Sequence, residues 1–158
     1  MENIPIYSHN NLRTIILRHR RENLKKCSLR GLETRTDMQF FTYPKSSPPF
    51  LINYVLLDLN GPPLTNKDKH FGLFLIDGTW NYAKTMTASI KEPLVTRSLP
   101  SKYRTAYPRR QPSCDDPERG LASIEALYIA YKILERETTG LLDHYYWKEP
   151  FLQLNNLV

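Results

Sequence analysis

The stretch "FGLFLIDGTWNYAKTM", residues 71–86, changes character at its middle. Phe71 to Ile76 is an almost unbroken apolar run, the composition of a strand covered on both faces. Asp77-Gly78 is a turn pair, Thr79 is an N-cap candidate, and Trp80, Ala83, Met86 and Ile90 recur at helical spacing. A buried strand that turns straight into a helix is half of a parallel βα unit, so this stretch argues for an α/β fold. It also gathers an acid, a hydroxyl and a large aromatic at one strand end. In parallel sheets that is where ligands sit and where the following helix offers free N–H groups. Asp77 there can bind a cation or accept a proton, and Trp80 can stack on a flat ring or face a cation. Local structure accounts for the same residues equally well: a turn, a cap and a core aromatic.

Further apolar runs extend the pattern outward. "TIILRH" (14–19), "MQFFTYP" (38–44), "FLINYVLLDLN" (50–60) and "HFGLFLID" (70–77) read as strands, separated by the breakers "KSSPP" and "NGPPLT". "SIEALYIAYKILERE" (123–137) reads as a helix with Ser123 as its N-cap and an apolar stripe of Ile124, Leu127, Tyr128, Tyr131 and Leu134. Between the helices lies "EPLVTRSLPSKYRTAYPRRQPSCDDPERG", rich in proline and arginine and read as a long loop; loops of that length are functional or disordered. The aromatic tail "HYYWKEPFLQLNN" is expected to cap the sheet, with a short helix.

The chain has 158 residues, 41% of them apolar, enough for one core, and residues 1–158 are expected to form one domain. No apolar run approaches the roughly 20 residues of a membrane span, and the N-terminus lacks a signal-peptide layout, so a cytoplasmic protein is expected. Cys27 and Cys114 stand alone, without the spacing of a zinc knuckle, and read as free thiols. The net charge of +6 comes from clusters such as "RHRRENLKK" and "KYRTAYPRRQ". Arginines interleaved with tyrosines suit a polyanion with stackable bases, and equally a solvated basic face. His19, between Arg18 and Arg20, reads as a packing histidine or a phosphate contact.

Three blocks in order resemble the DTW family, named for its Asp-x-Thr-Trp signature. They are "RHRRENLKKCSLRGLE" (18–33), "DGTW" (77–80) and "LASIEA" (121–126), spread over roughly residues 15 to 135. The resemblance implies an RNA aminocarboxypropyltransferase. Such an enzyme takes S-adenosylmethionine as co-substrate and no metal, and moves its 3-amino-3-carboxypropyl group to a uridine of transfer RNA or a pseudouridine of small-subunit ribosomal RNA. It also implies a mostly parallel sheet flanked by helices, SPOUT-like with a trefoil knot; the oligomeric state is not read from the sequence, a monomer being slightly favoured. By matching position, Ser28, Ile76, Asp77, Thr79, Trp80, Leu99, Ala122 and Ala126 would line the cofactor pocket. Asp77 and Trp80 would be the catalytic pair, one holding the amino group or cationic centre and the other shaping the pocket. Lys25, Lys26, Arg104, Arg109, Arg110 and Arg119 would meet the RNA backbone. Two departures stand out: the N-terminal cysteine cluster of the transfer RNA branch is absent, and "DGTW" replaces the "DCSW" of the ribosomal branch. An RNA methyltransferase on the same cofactor and a non-catalytic RNA-binding module are the competing readings.

Overall fold

Five strands lie parallel to one another in a single sheet of order β2-β1-β4-β3-β5 in the computed structural model, which describes residues 12–24, 27–108 and 120–158. They are β1 (Thr14–His19), β2 (Met38–Tyr43), β3 (Tyr54–Leu57), β4 (Gly72–Asp77) and β5 (Val95–Arg97); the helices are α1 (Trp80–Ala88), α2 (Ser123–Ile133) and α3 (Lys148–Leu154). Register follows the apolar runs, with Ile16 opposite Leu75 and Arg18 opposite Asp77 across β1 and β4, and Leu56 opposite Phe74 across β3 and β4.

Alternation along the strands sorts the core into two layers, because successive side chains leave a strand on opposite faces. Ile16, Val55, Leu73 and Leu75 point to the face packed by Leu127, Ile129 and Tyr131 of α2 and by Phe151 of α3. Ile15, Leu17, Leu56 and Phe74 point to the face covered by Met86 of α1. The central strands are buried on both sides, which is why their sequences lack a polar/apolar alternation. Each fully buried residue such as Phe74 contributes about 2–3 kcal/mol of apolar transfer. Arg18 and Asp77 share the α2 face by the same parity, which brings both under the start of that helix.

Several sequence expectations need correction. The segment after α1 is not a continuous loop. It contains β5, an edge strand held by Arg97, whose guanidinium lies 3.4 Å from Asp68. Asp68 also closes the 3-10 turn Asn66–Asp68 by accepting from the Thr65 N–H. Helix α2 ends at Ile133, not at residue 137, because Glu135 takes a left-handed conformation at φ 56°. Its N-cap is Ala122 rather than Ser123, whose hydroxyl is engaged elsewhere. Ile90 lies beyond the end of α1. The tail supplies α3 and the buried rings of Tyr145 and Phe151, but Tyr146 is exposed. Among the described residues no helix is long and apolar enough to cross a membrane.

Candidate functional site

A cavity of about 510 Å³ opens beyond the carboxyl ends of β3, β4 and β5. β4 is the strand at which the chain reverses direction across the sheet: β3 to β4 steps toward β1, and β4 to β5 steps away from it. Ligand crevices of open parallel sheets form at such reversals. The floor is Leu75, Ile76 and Asp77, and the walls come from Leu57 and Asp58, from Ser98 to Ser101, and from Leu121 to Ser123 with Ala126. Ser98 ties the β5 wall to the loop beside it, donating its N–H to the Pro62 carbonyl (2.9 Å) and its hydroxyl to the Gly61 carbonyl (2.9 Å), while its own carbonyl accepts from Leu64 (2.7 Å).

Of the residues the sequence points to, the cavity gathers Ser28, Ile76, Asp77, Thr79, Leu99, Ala122 and Ala126. Trp80 begins α1, and its side chain lies outside the described residues. So do Lys25, Lys26, Arg109, Arg110 and Arg119. Arg104 is exposed, with its N–H donated to Asn155 Oδ1 at 2.7 Å. Cys114 is likewise outside the described residues.

Asp77 is a buried carboxylate with three partners at the end of β4. Arg18 Nε donates to Oδ2 at 3.4 Å, the Cys27 thiol donates to the same oxygen at 3.2 Å, and Ser123 Oγ donates to Oδ1 at 3.0 Å. The Arg18 guanidinium reaches on to Glu33 at 3.3 Å and to Cys27 Sγ at 3.5 Å. Burial together with the Asp77 charge pushes the Cys27 thiol up to about 12, so it stays protonated and serves as a donor. Glu22, Cys27 and Asp77 bring metal-ligand atoms within 4.8 Å of one another. Arg18 already faces Asp77 there and the thiol is held neutral, so a metal ion would compete with the guanidinium for that carboxylate.

Ser28 lines the cavity and also accepts the N–H of Ile124 at 3.2 Å, satisfying one of the free donors at the start of α2. Thr79 occupies the N-cap position of α1 without making a side-chain cap hydrogen bond. Gly78 lets the chain turn close to its neighbours: a Cβ there would meet Met86 Sδ at 3.2 Å and the Cβ atoms of His19 and Tyr82 at 3.5 Å. His19 is a packing residue in this structure. Its ring stacks on Tyr82 at 3.8 Å and its Nδ1 accepts the Arg21 N–H at 3.1 Å, while burial, aided by Arg21 and Arg20, lowers its pKa.

Sequence reasoning missed four things here. The Arg18 partner of Asp77 is visible only once β1 and β4 are known to be neighbours. Tyr103 and Tyr107 line the cavity although their segment reads as a basic loop. Asp58 lines it too, and its carboxylate makes no hydrogen bond or ion pair with the described residues. Glu125 is entirely buried beneath the wall. Its signal is present in the sequence, since an acid three residues past an N-cap is a capping-box position, but that spacing emerges only with Ala122, not Ser123, as the cap.

Parallel strands between helical layers, with a cavity at the reversal of strand order, define an open α/β ligand-binding architecture. No family model matches the chain, and no curated protein matches it in sequence. Its fold is similar to a solved structure, that of the SAM-dependent rRNA:acp-transferase Tsr3 from Vulcanisaeta distributa, with a TM-score of 0.67 and 24% identity over 92% of this chain and 79% of that chain.

Proposed function

We propose that this protein is an RNA aminocarboxypropyltransferase that uses S-adenosylmethionine. One observation carries the reading: on a fold similar to that of an SAM-dependent rRNA:acp-transferase, seven positions named by the family resemblance line a single cavity at the carboxyl end of the sheet. The volume suits a nucleoside with an amino-acid side chain, and the lining mixes Ile76, Leu99 and Ala122 with a few polar groups, as small-molecule sites do.

In this reading a ring nitrogen of a uridine or pseudouridine attacks the side-chain carbon next to the sulfonium. The carbon–sulfur bond breaks, methylthioadenosine leaves, and the imide proton of the acceptor passes to solvent or to the RNA. The protein's part is to position the two partners and to exclude water. Both Asp77 oxygens are occupied by donors, so its work is to hold the floor of the cavity in place and present a negative edge to a cationic ligand, not to accept the acceptor's proton. The half-buried carboxylate of Asp58 is a second negative edge on the same cavity. The substrate is ribosomal RNA in preference to transfer RNA, on the strength of the solved neighbour, and the family resemblance points within it to the small subunit. The knotted SPOUT-like path, monomeric action, a cytoplasmic location and metal independence belong to the same proposal.

Incubation with total RNA and S-adenosylmethionine labelled separately in its methyl and carboxyl carbons tests the reading. Carboxyl label is expected in the small-subunit fraction, with methylthioadenosine released. Methyl label in RNA would instead make the protein a methyltransferase, and RNA binding without any label transfer would leave only a binding module.

A further inference from the structure

Glu125 sits in the first turn of α2, wholly buried, and takes no part in the chemistry above. Its oxygens are satisfied by neutral donors. Oε1 accepts from the Ala122 N–H at 2.7 Å and from Thr105 Oγ1 at 2.6 Å; Oε2 accepts from the Ala106 N–H at 2.8 Å and from the Tyr145 hydroxyl at 3.1 Å. A carboxylate offers about four acceptor sites, so these donors saturate it.

Two of the four donors come from residues 105 and 106, in a stretch that belongs to no helix or strand. The same stretch is gripped from its other side by Asn155, whose Oδ1 accepts the Arg104 N–H at 2.7 Å and whose Nδ2 donates to the Arg104 carbonyl at 2.9 Å. Loops are ordinarily the mobile part of a fold, so a double grip on irregular backbone needs a reason. The cavity supplies one: Tyr103 and Tyr107, at either end of the gripped residues, line it.

We propose that Glu125 is a positioning residue: it holds residues 103–107 as an aromatic wall of the cavity, and through that wall it sets the affinity for the flat heterocycle of the bound nucleoside. The proposal rests on the reading of the cavity as a nucleoside-sulfonium site. Aromatic faces recognise flat rings by stacking, which requires the rings to be held at a fixed spacing before the ligand arrives. Glu125 does this from behind the wall, without touching the ligand.

The test pairs amide hydrogen exchange with calorimetric binding of S-adenosylmethionine and of methylthioadenosine, in wild type, Glu125→Gln and Thr105→Val. Glutamine keeps the size but turns donors toward the Ala106 N–H or the Tyr145 hydroxyl. Exchange of the Ala106 and Tyr107 amides is expected to quicken by about tenfold with the β1 and β4 amides unchanged. Both ligands should weaken by about tenfold and by the same factor, because they share the ring and differ in the amino-acid part. Thr105→Val should act in the same direction by about threefold, and it decides the matter alone if Glu125→Gln does not fold. An unchanged loop, a loosening that spreads through the sheet, or a loosened loop with ligand affinity intact would each overturn the proposal. Failure of wild type to bind either ligand while Glu125 still protects the Ala106 amide would mark the nucleoside reading as the faulty step, and the ring assignment would fall with it.

Discussion

Two buried carboxylates meet the first turn of α2, and they are satisfied in opposite ways. Asp77 has a guanidinium, a thiol and a hydroxyl around it and borders the cavity. Among the described residues Glu125 has only neutral donors, and it lies entirely beneath the wall. An acid that faces a ligand needs its charge balanced in the absence of that ligand, and Arg18 does this for Asp77. An acid that staples backbone needs donors at fixed places, and its charge serves to strengthen each bond. The pair teaches that burial and hydrogen bonding alone do not separate a site residue from a structural one; the kind of partner does.

The sharpest way to break the comparison is Glu125→Leu. It strands four donors at once, and a loss of about 3 kcal/mol or more is expected in urea unfolding; a loss below about 1 kcal/mol would show that those donors find other partners easily. Asp77→Asn should move the other way in kind. Stability should fall by only about 1–2 kcal/mol while the proposed transfer activity drops by more than about a hundredfold, measured with labelled S-adenosylmethionine. A double-mutant cycle with Arg18→Met then isolates the pair. The double variant should lose less than the two singles together, by about 1–3 kcal/mol, since each single takes from a buried charge its oppositely charged neighbour on the adjacent strand.

Cys27 gives a pH test of the same corner. Its folded-state value of about 12 lies above the ordinary 9.0, so its contribution is fully present below pH 9 and fades as pH climbs toward 12. Urea midpoints for wild type and Cys27→Ala should therefore converge across that window, and the native thiol should resist alkylation at pH 8. The smallest effect is expected at Thr79→Ala. An N-cap hydroxyl is worth about 1 kcal/mol, but the Thr79 side chain makes no cap bond, so the cost should stay below about 0.5 kcal/mol.

The elements that decide the fold were legible because their signals are local. β1 falls on the expected residues, β2 ends one residue early, and β4 starts two residues into its apolar run. β5 was not legible: Val-Thr-Arg is too short to show any period, and its strand character comes from pairing with Val55, Leu56 and Leu57. Strand order is invisible in one dimension, so Arg18 could be read as basic surface until β1 lay beside β4. Ser123 misled for a related reason. A hydroxyl before an apolar run reads as a cap, yet the nearby acid at Asp77 takes that hydroxyl, and Ser28 and Glu125 accept two of the helix's free donors. The site residues carried over by resemblance were found by motif; the wall that Tyr103 and Tyr107 form was not, because nothing in "SKYRTAYP" states which way its rings face.

The cavity draws its lining from Glu22 through to Ala126, with the ends of β3, β4 and β5 taking part. A nascent chain therefore has no site to offer until α2 has emerged, and a fragment from either half has none at all. Ligand capture becomes a certificate of completed synthesis: a chain truncated before α2 lacks part of the lining, and a bound ligand at a hundredfold over its Kd would hold the finished chain together by about 2.7 kcal/mol.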